Sequence, residues 1–250
     1  MATNVQTDTR QPSSPTGGRH LPTACPPLEN GDRLTRSEFE RRYDAMPNLK
    51  KAELIEGVVY MPSPVRVRNH GKPHIQMTSW IGVYCAATPG VEGADNTTLR
   101  LDPDNEPQPD VLLWIDETAG GRAHISDDDY LEGSPELLVE VAASSASYDL
   151  HDKLQAYQRN GVQEYIVWRV YDQRVDWFQL ENAQYVPMHP DAAGVIHSRV
   201  FPGLCLAVTA LLNGDLAGVL ATLQQGLATA EHQAFVETLA AAMRPKLSSK

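Results

Sequence analysis

Between Pro135 and Gly161 the chain reads PELLVEVAASSASYDLHDKLQAYQRNG, and the one acid within its apolar run restricts what the rest can do. Leu137, Leu138, Val139 and Val141 surround Glu140. Apolar residues at both odd and even positions predict a strand buried on both faces, as at the centre of a sheet. A carboxylate there is expensive to desolvate unless a cation or hydrogen bonds meet it. The second half predicts a helix. Asp149 is a good N-cap, Asp152 stands three residues on as in a capping box, and Asn160-Gly161 closes the helix. Leu150, Leu154 and Tyr157 recur at helical spacing, with Lys153 about 60° around the wheel from Leu150, on the edge of that stripe. Its side chain leans back toward the helix start and hence toward the strand of Glu140. Two readings stand at this point. Either a stray acid and a snorkelling lysine have no common role, or a carboxylate and a cation face one place.

Charge narrows the function classes. With 32 acidic against 21 basic residues the net charge is −11, which argues against a passive nucleic-acid coat that binds by neutralising phosphates. An enzyme that meets nucleic acid through a local basic patch or a metal ion stays open. Cys25, Cys85 and Cys205 are odd in number and far apart, with no metal-ligand spacing; a reducing cytoplasm is the expected compartment. No apolar run approaches a membrane span and the N-terminus lacks a signal-peptide core, so no membrane partner is expected. The length suits one main domain with tails.

The rest of the chain supplies further acids. Residues 1 to about 30, rich in Pro, Ser, Thr and Gly, predict a disordered tail. Ser37 to Met46 predicts a short helix, and KAELIEGVVYMPSP a strand or hairpin turning at Gly57. Alternation puts Leu54, Glu56, Val58 and Tyr60 on one face, so Glu56 also interrupts an apolar row, unless it is an edge acid facing solvent. His74 to Ala87 predicts a helix ended by Pro89-Gly90. His70 and His74 are separated by Gly71 and Pro73, which reads as a helix-entry loop rather than an i,i+4 metal pair. Arg66, Arg68 and Lys72 in that loop form the clearest basic cluster, either solvated or a phosphate-contacting rim. VEGADNTTLRLD and DNEPQPDVLLWID predict strands, the second with Asp110 at its start, where a turn acid would also stand. The loop from Asp116 to Ser134 carries Asp127, Asp128 and Asp129, a solvated acidic face without EF-hand spacing. An antiparallel meander from Glu164 to about Val208 follows. Two amphipathic helical segments come last, one with Leu212, Leu216, Val219, Leu220, Leu223 and Leu227, the other with Phe235, Leu239 and Met243.

If the strands of Asp110 and Glu140 are neighbours, two carboxylates meet at one sheet edge. Like charges a few Å apart repel unless a cation lies between them, and a hard divalent ion such as magnesium suits oxygen donors. Carboxylates, metal and a lysine together make a kit for hydrolysing a phosphodiester.

These residues resemble a known family. PDV at 109–111, LLVEVAASS at 137–145 and DLHDKLQAYQRNGVQEYIVW at 149–168, preceded by ELIEGVVY at 53–60, look like the Uma-type restriction endonucleases of the PD-(D/E)xK superfamily. The likeness covers roughly Leu34 to Leu227. It implies an α/β fold with a restriction endonuclease-like mixed central sheet flanked by helices and a C-terminal helical extension. The implied domains are a nuclease domain over 31–227, after the tail at 1–30, and a terminal helix or tail over 228–250. It also implies magnesium or manganese ligated by Asp110, Glu140 and the Val141 carbonyl, with Glu56 assisting metal or water. The superfamily lysine stands two residues after the second acid, where this chain has Ala142; Lys153 matches the variant in which that lysine has moved to the next helix. The implied activity is hydrolysis of DNA by a magnesium-bound water, with Lys153 stabilising charge on the phosphate. Two other classes compete: a catalytically weak or inactive nuclease-like fold used for binding or assembly, and a hydrolase of small phosphoesters. Cutting both strands of a duplex implies a homodimer, for which the C-terminal helices are candidate contacts unless they pack on their own domain.

Overall fold

The run around Glu140 is a central strand, as its two-sided apolar pattern requires. The computed structural model describes residues 25–61, 66–143 and 146–244. Its strands are β1 (Glu53–Ile55), β2 (Val58–Tyr60), β3 (Val91–Asp95), β4 (Leu99–Arg100), β5 (Val111–Ile115), β6 (Ala123–Ile125), β7 (Leu131–Gly133), β8 (Leu137–Ala142), β9 (Glu164–Arg169), β10 (Arg174–Glu181), β11 (Gln184–Met188), β12 (Val195–His197) and β13 (Cys205–Ala207). Its α-helices are α1 (Arg36–Asp44), α2 (Lys72–Ala87), α3 (Ala146–Asp149), α4 (Asp152–Arg159), α5 (Val208–Leu212), α6 (Leu216–Leu227) and α7 (Ala230–Met243).

A six-stranded sheet in the order β11-β10-β9-β8-β5-β3 organises the molecule. β8 and β9 run parallel, joined through α3 and α4, and every other pair in this sheet is antiparallel. Side chains of a strand alternate between faces, and both faces are covered. Val111, Leu113, Leu137, Val139, Val141, Ile166 and Trp168 meet Met77, Trp80, Ile81 and Tyr84 of α2, with Val219 and Leu223 of α6 and Leu239 of α7. Leu112, Trp114, Leu138, Ala142, Tyr165 and Val167 meet Tyr157 of α4 and the small sheet β4-β7-β6. This is a mixed α/β architecture with a C-terminal helical region. Trp80 locks the first layer by donating its indole N–H to the Cys205 carbonyl at 3.0 Å and meeting Trp177 edge-on.

Several expected boundaries shift. The tail expected over residues 1 to about 30 lies outside the described residues as far as residue 24, and Leu28 is already buried beside Phe39, Ala52, Leu54 and Val59. The acidic loop from Asp116 to Ser134 contains β6 and β7. β12 and β13 pair with each other rather than extending the meander. The C-terminal helices spend their apolar stripes on the protein's own core through Leu211, Val219, Leu223 and Leu239. Cys25, Cys85 and Cys205 are free thiols, and no helix among the described residues is long and apolar enough to cross a membrane.

One buried acid outside the centre sets a pH limit on the fold. Glu106 is 6 % exposed and lies within the field of the Glu40 carboxylate, which Arg100 holds through Nε at 2.8 Å. Burial first, then the Glu40 charge, pushes the Glu106 carboxyl up to about 8. A carboxyl raised in the folded state keeps its proton where the unfolded chain has lost it, so stability falls as pH rises from about 4.5 to about 8. Relative to wild type, Glu106→Gln should gain roughly 2 kcal/mol between pH 5 and pH 8.5. Urea unfolding across that range checks this; parallel pH profiles for the two proteins would reject a raised Glu106 carboxyl.

Candidate active site

The site is built where three chain segments converge on the second face of the sheet. Val111 pairs with Val139 across β5 and β8, and this register sets Asp110 opposite Glu140. Both lie in the alternation of Leu112 and Leu138, facing α4. On α4 the buried residues are Lys153, Ala156 and Tyr157, with Leu150 and Leu154 only flanking. The lysine predicted at the edge of the apolar stripe is therefore at its centre. It is 3 % exposed, and Glu53, Asp110, Glu140 and Asp149 are 5, 5, 5 and 2 % exposed.

Lys153 Nζ donates to Glu140 Oε1 at 2.8 Å and to Glu53 Oε1 at 2.9 Å, and stands 3.9 Å from Asp149 Oδ1. Tyr157 adds its hydroxyl to Glu140 Oε1 at 3.1 Å. Glu53 Oε1 also accepts the Gln108 N–H at 2.7 Å. Asp110 is held separately: Oδ2 accepts the Val141 N–H at 2.7 Å, and Oδ1 lies 3.1 Å from His70 Nε2. His74 Nε2 lies 3.0 Å from the Asp110 carbonyl, its ring stacked on that of His70. The segment before α2 and the first turn of α2 thus clamp Asp110 through His70 and His74.

The electrostatics follow from crowding. Burial works to lower the Lys153 pKa, but Glu140, Glu53 and Asp149 outweigh it and hold the ammonium firmly charged. Burial pushes Glu140 up, Lys153 pulls it down, and Asp149, Asp110 and Glu53 push it up again. For Asp110, burial is outweighed by His70, the Val141 N–H and Lys51, which hold it below the usual range. Three buried carboxylates therefore surround one buried lysine, and a fourth, Asp110, stands near enough to Glu140 to act on its charge. Glu164 provides the contrast: it is equally buried but accepts from Arg199 N, Val200 N, Ser198 Oγ and Trp177 Nε1, as a structural acid should.

Glu56 needs correcting. It occupies the tight turn between β1 and β2 with φ of 52°, before Gly57 at 71°. Strand alternation stops at such a turn, so Glu56 leaves the face of Leu54 and pairs with Arg159 Nη1 at 2.7 Å. Glu53 enters the cluster instead. Its signal was in the sequence: an acid flanked by Ala52, Leu54 and Ile55, like Glu140 in its own run. Asp149 also departs from expectation, since α3 ends on it and it is buried rather than capping α4. Val141 contributes its N–H to Asp110; its carbonyl has no role evident in the geometry.

The donors suit a hard divalent cation in their chemistry. Carboxylate oxygens on paired strands, with negative charge exceeding positive, are what such an ion prefers. Among the described residues no three His, Cys, Asp or Glu side chains are grouped so as to hold a metal ion, so an ion at Asp110 and Glu140 would need backbone, water or substrate oxygens as well.

Residues 36–209, well over half of the chain, match the Uma2 family model, described as "Putative restriction endonuclease". Among solved structures, the chain is similar to a putative nuclease belonging to DUF820 from Anabaena variabilis, with TM-score 0.53 and 14 % identity over 68 % of this chain and 97 % of that one. No curated protein matches.

Lys153 is the one cation at the cluster centre among the described residues, and removing it leaves buried carboxylates uncompensated. Lys153→Met, which keeps the apolar stem, should lose about 3–5 kcal/mol. Glu140→Gln relieves like-charge crowding and should stay within about 1 kcal/mol of wild type or exceed it. Denaturant unfolding of both at neutral pH is the check; a Lys153→Met protein as stable as wild type would show that ion pairing does not hold the cluster.

Proposed function

The chain belongs to the Uma2 putative restriction endonuclease family, and from that premise we propose that it hydrolyses DNA phosphodiester bonds with magnesium or manganese at the Asp110–Glu140 cluster. The observation that carries this reading is the excess of buried carboxylate over cation around Lys153. A fold that only needed stability would satisfy these acids with N–H donors, as it does Glu164, or replace them with apolar residues.

In this reading Asp110 and Glu140 would hold the ion, with the Val141 carbonyl as the backbone ligand that the family resemblance implies. When bound, the ion supplies charge neutralisation at the phosphate and makes water a better nucleophile. The remaining work falls to the chain. His70 and the Val141 N–H fix the Asp110 carboxylate in one orientation. Tyr157 and Lys153 fix that of Glu140. Lys153 keeps its proton and offsets the acids around it, which lets a phosphate anion approach. Glu53, rather than Glu56, is the first-hairpin acid assigned to the site, acting through Lys153 as a positioning residue.

A second reading is favoured by one observation. Lys153 Nζ is already engaged by Glu140 and Glu53, and Ala142 occupies the superfamily's usual lysine position. A catalytically weak fold that binds nucleic acid without cutting it would show this arrangement too.

Magnesium should raise the wild-type melting temperature, with an increment that grows as the logarithm of its concentration over Kd, and Asp110→Ala and Glu140→Ala should abolish the increment. The same substitutions should reduce cleavage of supercoiled plasmid by at least about a hundredfold. Binding without turnover in the wild type would select the second reading; turnover of small phosphoesters alone would select a third class. Cutting both strands further calls for a two-fold homodimer. Sedimentation under cleaving conditions tests it, and a monomeric mass would remove that part.

A further inference from the structure

Positive charge is concentrated in one place beside the site. In a chain of net charge −11, Arg66, Arg68 and Lys72 stand exposed on one short segment. The same segment exposes apolar surface: Val67 is 72 % exposed, and Ile75, one turn into α2, 57 %. Tyr171, just past the end of β9, is 61 % exposed, and its hydroxyl accepts from Asn69 Nδ2 at 2.7 Å. These are three of the five large hydrophobic side chains exposed among the described residues, and they share a region with the cationic segment.

Backbone geometry ties this surface to the site. Residues Val67–Gly71 form a π-turn, in which Gly71 N–H reaches the Arg66 carbonyl at 3.2 Å and Lys72 N–H the Val67 carbonyl. Such a wide turn accommodates one more residue than an α-turn and recurs at functional sites. Here it brings His70 to Asp110 while Val67 and Arg68 stay outside. Tyr171 is at the same end of the sheet, because the C-terminal ends of parallel β8 and β9 lie beside the start of antiparallel β5.

We propose that Arg66, Val67, Arg68, Lys72, Ile75 and Tyr171 form the surface on which DNA docks, with the cations on phosphates of the strand to be cut and Val67 and Tyr171 packed against sugar and base. The assignment rests on the endonuclease reading above. Cations interleaved with exposed apolar and aromatic side chains fit a polyanion that also presents π-faces. An acidic protein partner would use the cations but would leave the salt dependence without the many-phosphate slope that DNA produces.

The test is fluorescence anisotropy of a labelled duplex with the full-length protein in calcium, across a salt series, beside plasmid cleavage in magnesium. Neutralising Arg66, Arg68 and Lys72 to Gln together should weaken binding about thirtyfold or more and lower the slope of log K against log salt by about 2 to 3. Val67→Ser and Tyr171→Ala should each weaken binding about fivefold with the slope unchanged. Arg244→Gln, an exposed cation at the end of α7, serves as the control and should change neither. All the altered side chains are exposed, so melting temperatures should match wild type. A triple variant that binds within twofold of wild type with the same slope overturns the surface while leaving the endonuclease reading intact. A wild type that neither binds nor cuts DNA overturns both.

Discussion

One buried ammonium holds three parts of this protein together. Lys153 joins α4 to the central strand through Glu140 and to the β1–β2 hairpin through Glu53. Neither hairpin nor helix has a large core of its own: β1 and β2 are three residues each, and α4 is eight. Isolated elements of that length are marginal in water. Their positions over the sheet therefore depend on this ion-pair cluster as well as on the apolar contacts around Tyr157 and Leu54.

That dependence explains a tension in the design. Burying several carboxylates around one cation is a poor way to gain stability, since desolvation offsets most of the Coulomb attraction. The rest of the core shows that the chain can do otherwise, as Glu164 and Trp80 do with fully satisfied polar groups. A concentration of negative charge is thus kept at the one sheet end where strand termini, a helix start and a π-turn all meet. Open α/β sheets generally place ligands at strand ends of this kind. The two sheet faces divide the labour: α2, α6 and α7 supply the larger apolar layer, and the face of α4 carries the acids. The π-turn ahead of α2 reaches from the first layer around the sheet end to clamp Asp110.

How much of this was legible depends on the range of the forces involved. The burial of β8 on both faces and the place of Lys153 beside the apolar stripe of α4 follow from local periodicity, because a strand or helix repeats whatever the rest of the chain does. The ordered motifs carried the family resemblance for the same reason, being contiguous in sequence. Glu56 shows where periodicity stops. A two-residue turn with positive φ breaks alternation, so the acid on the predicted face went to Arg159 and Glu53 took its place.

The sequence by itself determined most of the strand and helix runs, though not β6 and β7, and that an acid would be trapped among apolar residues at Glu140 with a lysine at 153 leaning toward it. Only the tertiary structure decided which charges meet. Lys153 and Glu53 are a hundred residues apart and His70 and Asp110 forty. Contacts of that separation are set by sheet order, turn geometry and helix rotation acting together, and no local pattern encodes their sum. The rotation of α4 that centres Lys153, and the wide turn that swings His70 to Asp110 while leaving Val67 and Arg68 in solvent, are consequences of packing against the finished sheet.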